Sequence, residues 1–425
     1  MLTDSGTRLL FLTESLRNFD YVAMLERIRP NLPKLEHVVY VRGKRGAASY
    51  DALVAAGRGR ALHTGQANAD AVKLLLYTSG TTGKPKGVLH SQNTLTRVLD
   101  TSTEHWRIAK GDAMLMPSPI THVSGYTFGI EMPFISGTRT VLMENWNAEI
   151  AVRLIKLYDI VGTVAATPFL RELTGKACLL GEHLPSLRFF ACGGASVPPD
   201  VIRDANAAFG RPCAFRVYGC SEAPMITLGF RGTDQVELAA TTDGEVIDYQ
   251  IRVVDVSGNE VPAGVEGEIL ARGPAMFLGY ADDNQTAEAL TPDGYYRTGD
   301  LGLLTSDHAI LITGRVKDLI IRGGENISAR EIEDVLHRHP AVAEVAVVAM
   351  PHLRLGEGIC AYVVLRDGFS ANAAALSAYV PEQGLAMQKC PERVEFVATL
   401  PKTASGKVRK DRLREEIRRK LLSTG

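Results

Sequence analysis

Residues 74–87, LLLYTSGTTGKPKG, are where the chemistry of this chain is most concentrated. An apolar run leads into a turn rich in Gly, Ser and Thr that also carries Lys84 and Lys86. Such a loop is suited to phosphate. Glycines let backbone N–H groups converge on an anion, the hydroxyls of Thr78, Ser79, Thr81 and Thr82 donate hydrogen bonds, and a lysine supplies charge. The motif is not a Walker A loop, because G-x4-G-K-[ST] requires a second glycine where Pro85 and Val88 stand. The bland alternative is a flexible surface turn. The cysteines at 178, 192, 213, 220, 360 and 390 form no CxxC pair and no Cys/His ligand spacing, so neither a zinc site nor a disulfide framework is expected.

The elements that must position this loop read as α/β. Short β-rich runs at 8–12, 37–41, 72–77 and 188–191 alternate with helical stretches at 21–29 and 147–158. Between about 245 and 315 the texture changes to short strands with Gly and Pro turns, the pattern of a β-rich subdomain. Beyond it, ISAREIEDVLHRHP, two β-branched runs and a basic closing helix predict a small α+β domain over 317–425, after a large domain over 1–316. Ser328 and Glu331 have the spacing of a capping box. With 425 residues, 47 Lys plus Arg against 48 Asp plus Glu, and 45% hydrophobic residues, the chain is globular. A formal charge of −1 gives no global attraction to nucleic acid or anionic lipid, so the default ligand is a small molecule. No apolar run reaches the length of a membrane span and no signal peptide is evident, which together with the cysteine usage predicts a cytoplasmic protein.

The loop YTSGTTGKPKG resembles the signature of the acyl-adenylate-forming (AMP-binding) enzymes, which include acyl-CoA synthetases, luciferases and peptide-synthetase adenylation domains. Four further segments match in family order: YGCSEAP at 218–224, YYRTGDLG at 295–302, GRVKDLIIRGGENISAREIE at 314–333 and PKTASGKVRK at 401–410. The resemblance covers nearly the whole chain. It implies an α/β N-terminal domain followed by a small mobile C-terminal domain. The activity implied is ATP- and Mg2+-dependent conversion of a carboxylic acid to acyl-AMP, then transfer to a thiol. Coenzyme A is the expected acceptor and a carrier-protein thiol the alternative, with a homodimer allowed. A different class of reading, a nucleotide-binding chain without turnover, stays open because the signature loop begins after only 73 residues. The first part of the N-terminal subdomain is accordingly expected to be absent, leaving a strand edge and apolar surface exposed.

The resemblance also implies residue roles. Thr78, Ser79, Gly80, Thr81, Thr82 and Lys86 would hold phosphates. The adenine would lie between Gly193, Gly194 and Ala195 on one side and Tyr218, followed by Gly219, on the other. Asp300 and Arg315 would grip the ribose, Glu222 would hold Mg2+, and Ser221 stands where the family usually has Thr. Lys407 matches the catalytic lysine, Lys317 the hinge of domain rotation, Gly323 and Gly324 the pantetheine tunnel, and His122 with Val123 the gate of the acyl pocket. Taken alone, these features have ordinary readings: turns for CGGA and for the paired glycines, a structural histidine, surface ion pairs, and for Lys407 one more charge on a tail whose residues 402–420 carry nine basic groups against three acids. The pocket expected from 122–126, Phe169 and 224–226 is mostly apolar, and HVSGYTFG lacks the Asp with which peptide-synthetase domains hold an ammonium. A hydrophobic acid is therefore expected, and the wording of HSQNTL, TPFLREL and RGGENIS most resembles medium-chain or cyclohexanecarboxylate-type CoA ligases.

Overall fold

Strands that are apolar on both faces demand cover on both faces, and the central sheet of the computed structural model has it. The structure describes residues 1–16, 18–42, 48–61, 65–78, 85–403 and 407–423. They fall into two compact units, one of residues 1–93 with 277–286 and one of residues 94–276 with 287–425.

In the second unit, five parallel strands run in the order Ala214–Arg216, Phe189–Cys192, Ile160–Ala165, Ala113–Met116, Arg139–Leu142. Side-chain alternation sends Leu115 and Phe190 to one face, where the helices Ala148–Leu157, Thr167–Leu180 and Pro199–Phe209 pack. Met114, Met116, Phe189 and Ala191 go to the other face, against Val98, Leu99, Trp106 and Phe128. Asn147 caps the first of these helices by accepting from the Ile150 N–H, and Gly181 and Gly210, both left-handed, end the other two. The loops leaving the C-terminal ends of such strands form the usual ligand crevice of an open α/β sheet.

An antiparallel sheet follows, in the order Gln250–Val254, Gly267–Arg272, Tyr296–Leu304, Ile310–Arg315. Its register sets Asp300 opposite Arg315. The last sheet runs Glu325–Ser328, Leu319–Arg322, Gly356–Leu365, Val342–His352, with Arg393–Phe396 parallel to Gly356–Leu365. The helices Ala329–His337 and Ala373–Glu382 cover one face and Lys410–Ser423, through Leu413 and Ile417, the other. This is the expected α/β architecture with a small α+β C-terminal part.

The capping box is not made. Ser328 Oγ donates to the Thr313 carbonyl at 2.8 Å, and Glu331 pairs with Lys389 at 2.6 Å. Tertiary partners have outcompeted a local cap.

In the first unit, Leu9–Thr13 pairs in parallel with His37–Val41 through the helix Tyr21–Ile28, whose N-cap Asp20 accepts from the Val22 and Ala23 N–H groups. The pair leaves Phe11 50% and Leu9 46% exposed. Separately, the hairpin Val72–Thr78/Lys86–Ser91 carries Gly279–Tyr280 on its free edge. No helix among the described residues is long and apolar enough to cross a membrane. All six cysteines are free.

Candidate active site

Tyr218 leaves the end of the strand Ala214–Arg216, where its N–H donates to Thr227 Oγ1 at 2.7 Å and its hydroxyl to Asp300 Oδ2 at 2.8 Å. Asp300 is buried, and its other oxygen receives Arg315 Nε at 2.6 Å. Burial disfavours the Arg315 charge, but Asp300, aided by Tyr218, Asp318 and Cys220, outweighs it and raises the guanidinium above its usual range. Tyr218 is held as a neutral phenol, pushed well up first by burial and then by Asp300. The three residues thus share one hydrogen-bonded edge of a pocket whose ring, acceptor and cation suit a base, a diol and an anion.

Gly193 opens the turn after Phe189–Cys192. A Cβ there would run into the Val217 carbonyl, so its glycine is required by the close approach of the two strand ends. Gly194 has φ +81°, a left-handed position, and a Cβ would meet no atom within 4 Å, which leaves its face open beside Ala195. Gly219 is fixed in the same way as Gly193, by the Met225 N–H lying against it. In the turn that follows, Cys220 N donates to the Ala223 carbonyl at 3.1 Å. Ser221 lies in that turn, and Glu222 is 8% exposed, its carboxylate close enough to Cys220 to help raise the thiol, after burial. No group of three His, Cys, Asp or Glu side chains able to hold a metal occurs among the described residues. Glu222 offers a hard carboxylate oxygen of the kind that suits Mg2+.

Lys407 enters the same cleft from the C-terminal part. Its backbone is clasped to Thr403, with Lys407 N on Thr403 Oγ1 at 3.1 Å and Thr403 N on the Lys407 carbonyl at 2.8 Å. The side chain keeps an exposed surface although protein crowds around the ammonium. Burial first, then Arg315 and Lys317, push it down to about 8 against the pull of Asp300 and Asp318. Lys317, in the turn Val316–Asp318, is lowered by burial and Arg315. His122 is also lowered, by burial and then by Lys407, and its Nδ1 accepts from the Ser124 N–H at 3.3 Å. That bond leaves the proton of the neutral ring on Nε2. His122, Asp300, Arg315, Lys317 and Lys407 are thus electrostatic neighbours, and three of them, Arg315, Lys317 and Lys407, are basic groups suited to bringing two anions together.

Other expected residues are placed differently. Gly323 and Gly324 have φ +61° and +91° between the paired residues Arg322 and Glu325, a two-residue hairpin turn that requires both glycines. Val123 is buried in the short helix that His122 caps. Pro224 and Ile226 are buried, Phe169 meets Trp146 edge-on at 4.9 Å, and the Tyr126 hydroxyl donates to the buried Glu131 at 2.8 Å. That carboxylate is a polar element which the apolar expectation did not contain. In the first unit, Thr78 ends its strand and Lys86 Nζ stands 4.6 Å over the Tyr280 ring. Ser79, Gly80, Thr81, Thr82 and Lys84 lie outside the described residues.

Sequence reasoning missed Arg216, Thr227 and Asp243, all buried. An arginine inside the apolar run CAFRVYG was the available signal, since a buried guanidinium must find a carboxylate.

A two-domain α/β architecture with this cleft defines an adenylate-forming ligase class. Residues 1–281 match the AMP-binding enzyme family and residues 331–407 the AMP-binding enzyme C-terminal domain; the chain belongs to that family. It is 36% identical over 356 residues to the medium-chain fatty-acid–CoA ligase of Escherichia coli, covering 83% of this chain and 62% of that ligase. The chain thus spans less than two thirds of that relative's length. It is 31% identical over 415 residues to the 2,3-dihydroxybenzoate-AMP ligase of Bacillus subtilis, covering 96% of this chain and 75% of the relative. Among solved structures, ATP-bound MatB from Rhodopseudomonas palustris superposes with a TM-score of 0.85 at 28% identity, covering 98% of this chain and 80% of MatB. The apo form of MatB superposes at 0.71, with 27% identity and the same coverages.

Proposed function

We propose that the chain activates a hydrophobic carboxylic acid with ATP and passes the acyl group to coenzyme A. In the first step a carboxylate oxygen attacks the α-phosphorus, the bond to the β-phosphate oxygen breaks, and pyrophosphate leaves. In the second the thiol sulfur attacks the acyl carbon, its proton goes to solvent or base, and AMP leaves. The observation that carries the reading is the gathering of Lys407, Lys317 and Arg315 around Asp300, with Lys407 also beside His122. The carboxylate and triphosphate repel each other, so fixed positive charge and positioning are what the first step needs.

In this reading Tyr218 stacks on the adenine, Asp300 accepts from the ribose hydroxyls, and Lys407 contacts the carboxylate and ribose oxygens. Glu222 is the residue that would hold Mg2+, which supplies charge neutralisation along the triphosphate. The better agreement with ATP-bound than with apo MatB supports taking the arrangement as the adenylating one. A rotation about Lys317 would then withdraw Lys407 for the second step. A hydrophobic acid is supported by the buried Val123, Pro224 and Ile226. The similarity to an AMP ligase as well as to a CoA ligase favours carrier-protein loading as the second reading of the acceptor.

The test is acid-dependent pyrophosphate release with Mg2+ and ATP over octanoate, phenylacetate and free amino acids, followed by thioester formation with CoA or a phosphopantetheinylated carrier. Release with octanoate or phenylacetate, strongly weakened in Glu222→Ala, supports the reading. Exchange driven by amino acids alone would overturn the acid class, and unchanged turnover in Glu222→Ala the metal assignment.

A further inference from the structure

Beneath the nucleotide pocket lies an ion pair that the reaction does not use directly. Arg216 and Asp243 are both buried, with Arg216 Nε 3.1 Å and Nη2 2.5 Å from Asp243 Oδ1 and Nη1 3.2 Å from the Ala240 carbonyl. The second carboxylate oxygen accepts from the Ile312 N–H at 2.8 Å, and Asp243 N donates to the Ile310 carbonyl at 2.7 Å. The Asp243 carbonyl accepts from the hydroxyl of the fully buried Thr227. That hydroxyl oxygen in turn accepts the Tyr218 N–H at 2.7 Å, while Thr227 N donates to the Tyr218 carbonyl at 3.1 Å.

These bonds close a ring. From Tyr218 it passes through Thr227 and Asp243 to Ile312, along the strand Ile310–Arg315 to Arg315, across to Asp300, and back to the Tyr218 hydroxyl. A buried ion pair is poor evidence for stability, since apolar residues of equal bulk often serve as well. Geometry is what this one supplies. It joins the segment bearing Tyr218 to the strand bearing Arg315, and the pocket's ring and its cation belong to these two separate elements. A binding constellation must be held to within about 0.5 Å by bonds behind it.

We propose that Asp243, with Arg216 and Thr227, is the positioning unit of the nucleotide pocket, setting the distance between the ring of Tyr218 and the Asp300–Arg315 pair. This rests on the nucleotide reading of that pocket. Thr227 reaches Asp243 by its hydroxyl alone, so Thr227→Val removes that link and the acceptor of the Tyr218 N–H at nearly constant volume, leaving the backbone bond to the Tyr218 carbonyl, and Thr227→Ser restores it.

The experiment measures Mg·ATP affinity by titration calorimetry, KM for ATP and for octanoate, and Tm, in the full chain. Thr227→Val should raise Kd and KM for ATP by about tenfold, the scale of one buried hydrogen bond. KM for octanoate should change little, and Thr227→Ser should return ATP binding towards the parent. A lowered Tm with unchanged ATP affinity would mean a merely structural role and overturns the proposal. Should Thr227→Val fail to fold, Arg216→Met/Asp243→Leu replaces the pair with apolar bulk; weakened ATP binding in that folded variant supports the proposal and unweakened binding overturns it. A parent protein that binds no Mg·ATP overturns this proposal together with the nucleotide reading, whereas a parent that binds it beside an equally competent Thr227→Val overturns this proposal alone.

Discussion

The two sides of the cleft are held on different terms. On one side Tyr218, Asp300 and Arg315 are tied by bonds through buried groups: Asp243, Arg216 and Thr227 have almost no contact with solvent. On the other, the segment bearing Lys407 is held by local turn bonds to Thr403, by the Arg409 N–H on the Pro401 carbonyl at 2.8 Å, and by the partly exposed Lys402–Glu344 pair at 2.6 Å. Bonds in a dry interior are costly to leave unmade, while exposed pairs contribute about 0–1 kcal/mol and exchange readily with water. Under the proposed function, the difference is a division of labour in which one side would be a fixed mould for nucleotide and the other an arm that can be withdrawn.

The sharpest way to break that comparison is Lys407→Ala. Losing one charge-stabilising donor should lower acid-dependent pyrophosphate release by on the order of 10² or more. Conversion of supplied acyl-AMP to acyl-CoA should be largely spared, because in the proposed cycle the arm leaves the cleft before that step. Equal losses in both half-reactions would show that the arm does not withdraw. Lys317→Pro should give the reverse pattern, since a fixed φ in the turn Val316–Asp318 impedes rotation while sparing the first step. Lys317→Ala is the control for lost charge, and a matching deficit in it would assign the effect to the ammonium.

Charge gives a smaller effect with a defined sign. Lys407 is pushed down to about 8, so it is mostly charged below pH 8 and mostly neutral above. Triphosphate oxygens favour the charged form, so ATP binding should take up a proton above pH 8, take up little near pH 6.5, and weaken as pH rises. Calorimetry in buffers of different ionisation enthalpy measures the uptake, and Lys407→Ala should abolish it. For stability the sign is that of a depressed lysine. The penalty for charging it is fully present below pH 8 and fades towards the unfolded value, so the variant should be relatively more stable at neutral than at alkaline pH.

The same contrast governs what the sequence disclosed. The α/β alternation and the β-rich stretch were legible because local periodicity sets them, and strands fell within a residue or so of expectation, as at 37–41 and 189–192. Tyr218, Asp300, Arg315 and Lys407 were legible only through ordered motifs, since residues 82 positions apart meet by folding alone. Asp243 and Thr227 belong to no motif and bond across 16 and 9 residues to segments whose pairing no local rule sets. Ser328 failed in the opposite sense: the local pattern was right for a cap, and the Thr313 carbonyl took its hydroxyl instead.

The smallest expected effect is at Arg414, which sharpens where the arm is anchored. Its guanidinium holds Asp318 Oδ1 at 3.0 Å and reaches the Lys317 carbonyl at 3.4 Å, so the closing helix grips the turn about which rotation is proposed. If that turn moves as part of the C-terminal body, the grip is carried along, and Arg414→Ala should cost at most about 1 kcal/mol of stability with both half-reactions nearly unchanged. If instead the turn pivots beneath the helix, the bonds must break in each cycle. Removing them would then favour one pose, raising one half-reaction severalfold at the expense of the other. Single-turnover measurement of pyrophosphate and of thioester from acyl-AMP distinguishes the two, and the expected outcome is the first, because Arg414 bonds the Lys317 carbonyl and the Asp318 side chain, both of which lie on the C-terminal side of the Lys317 N–Cα bond about which rotation is proposed.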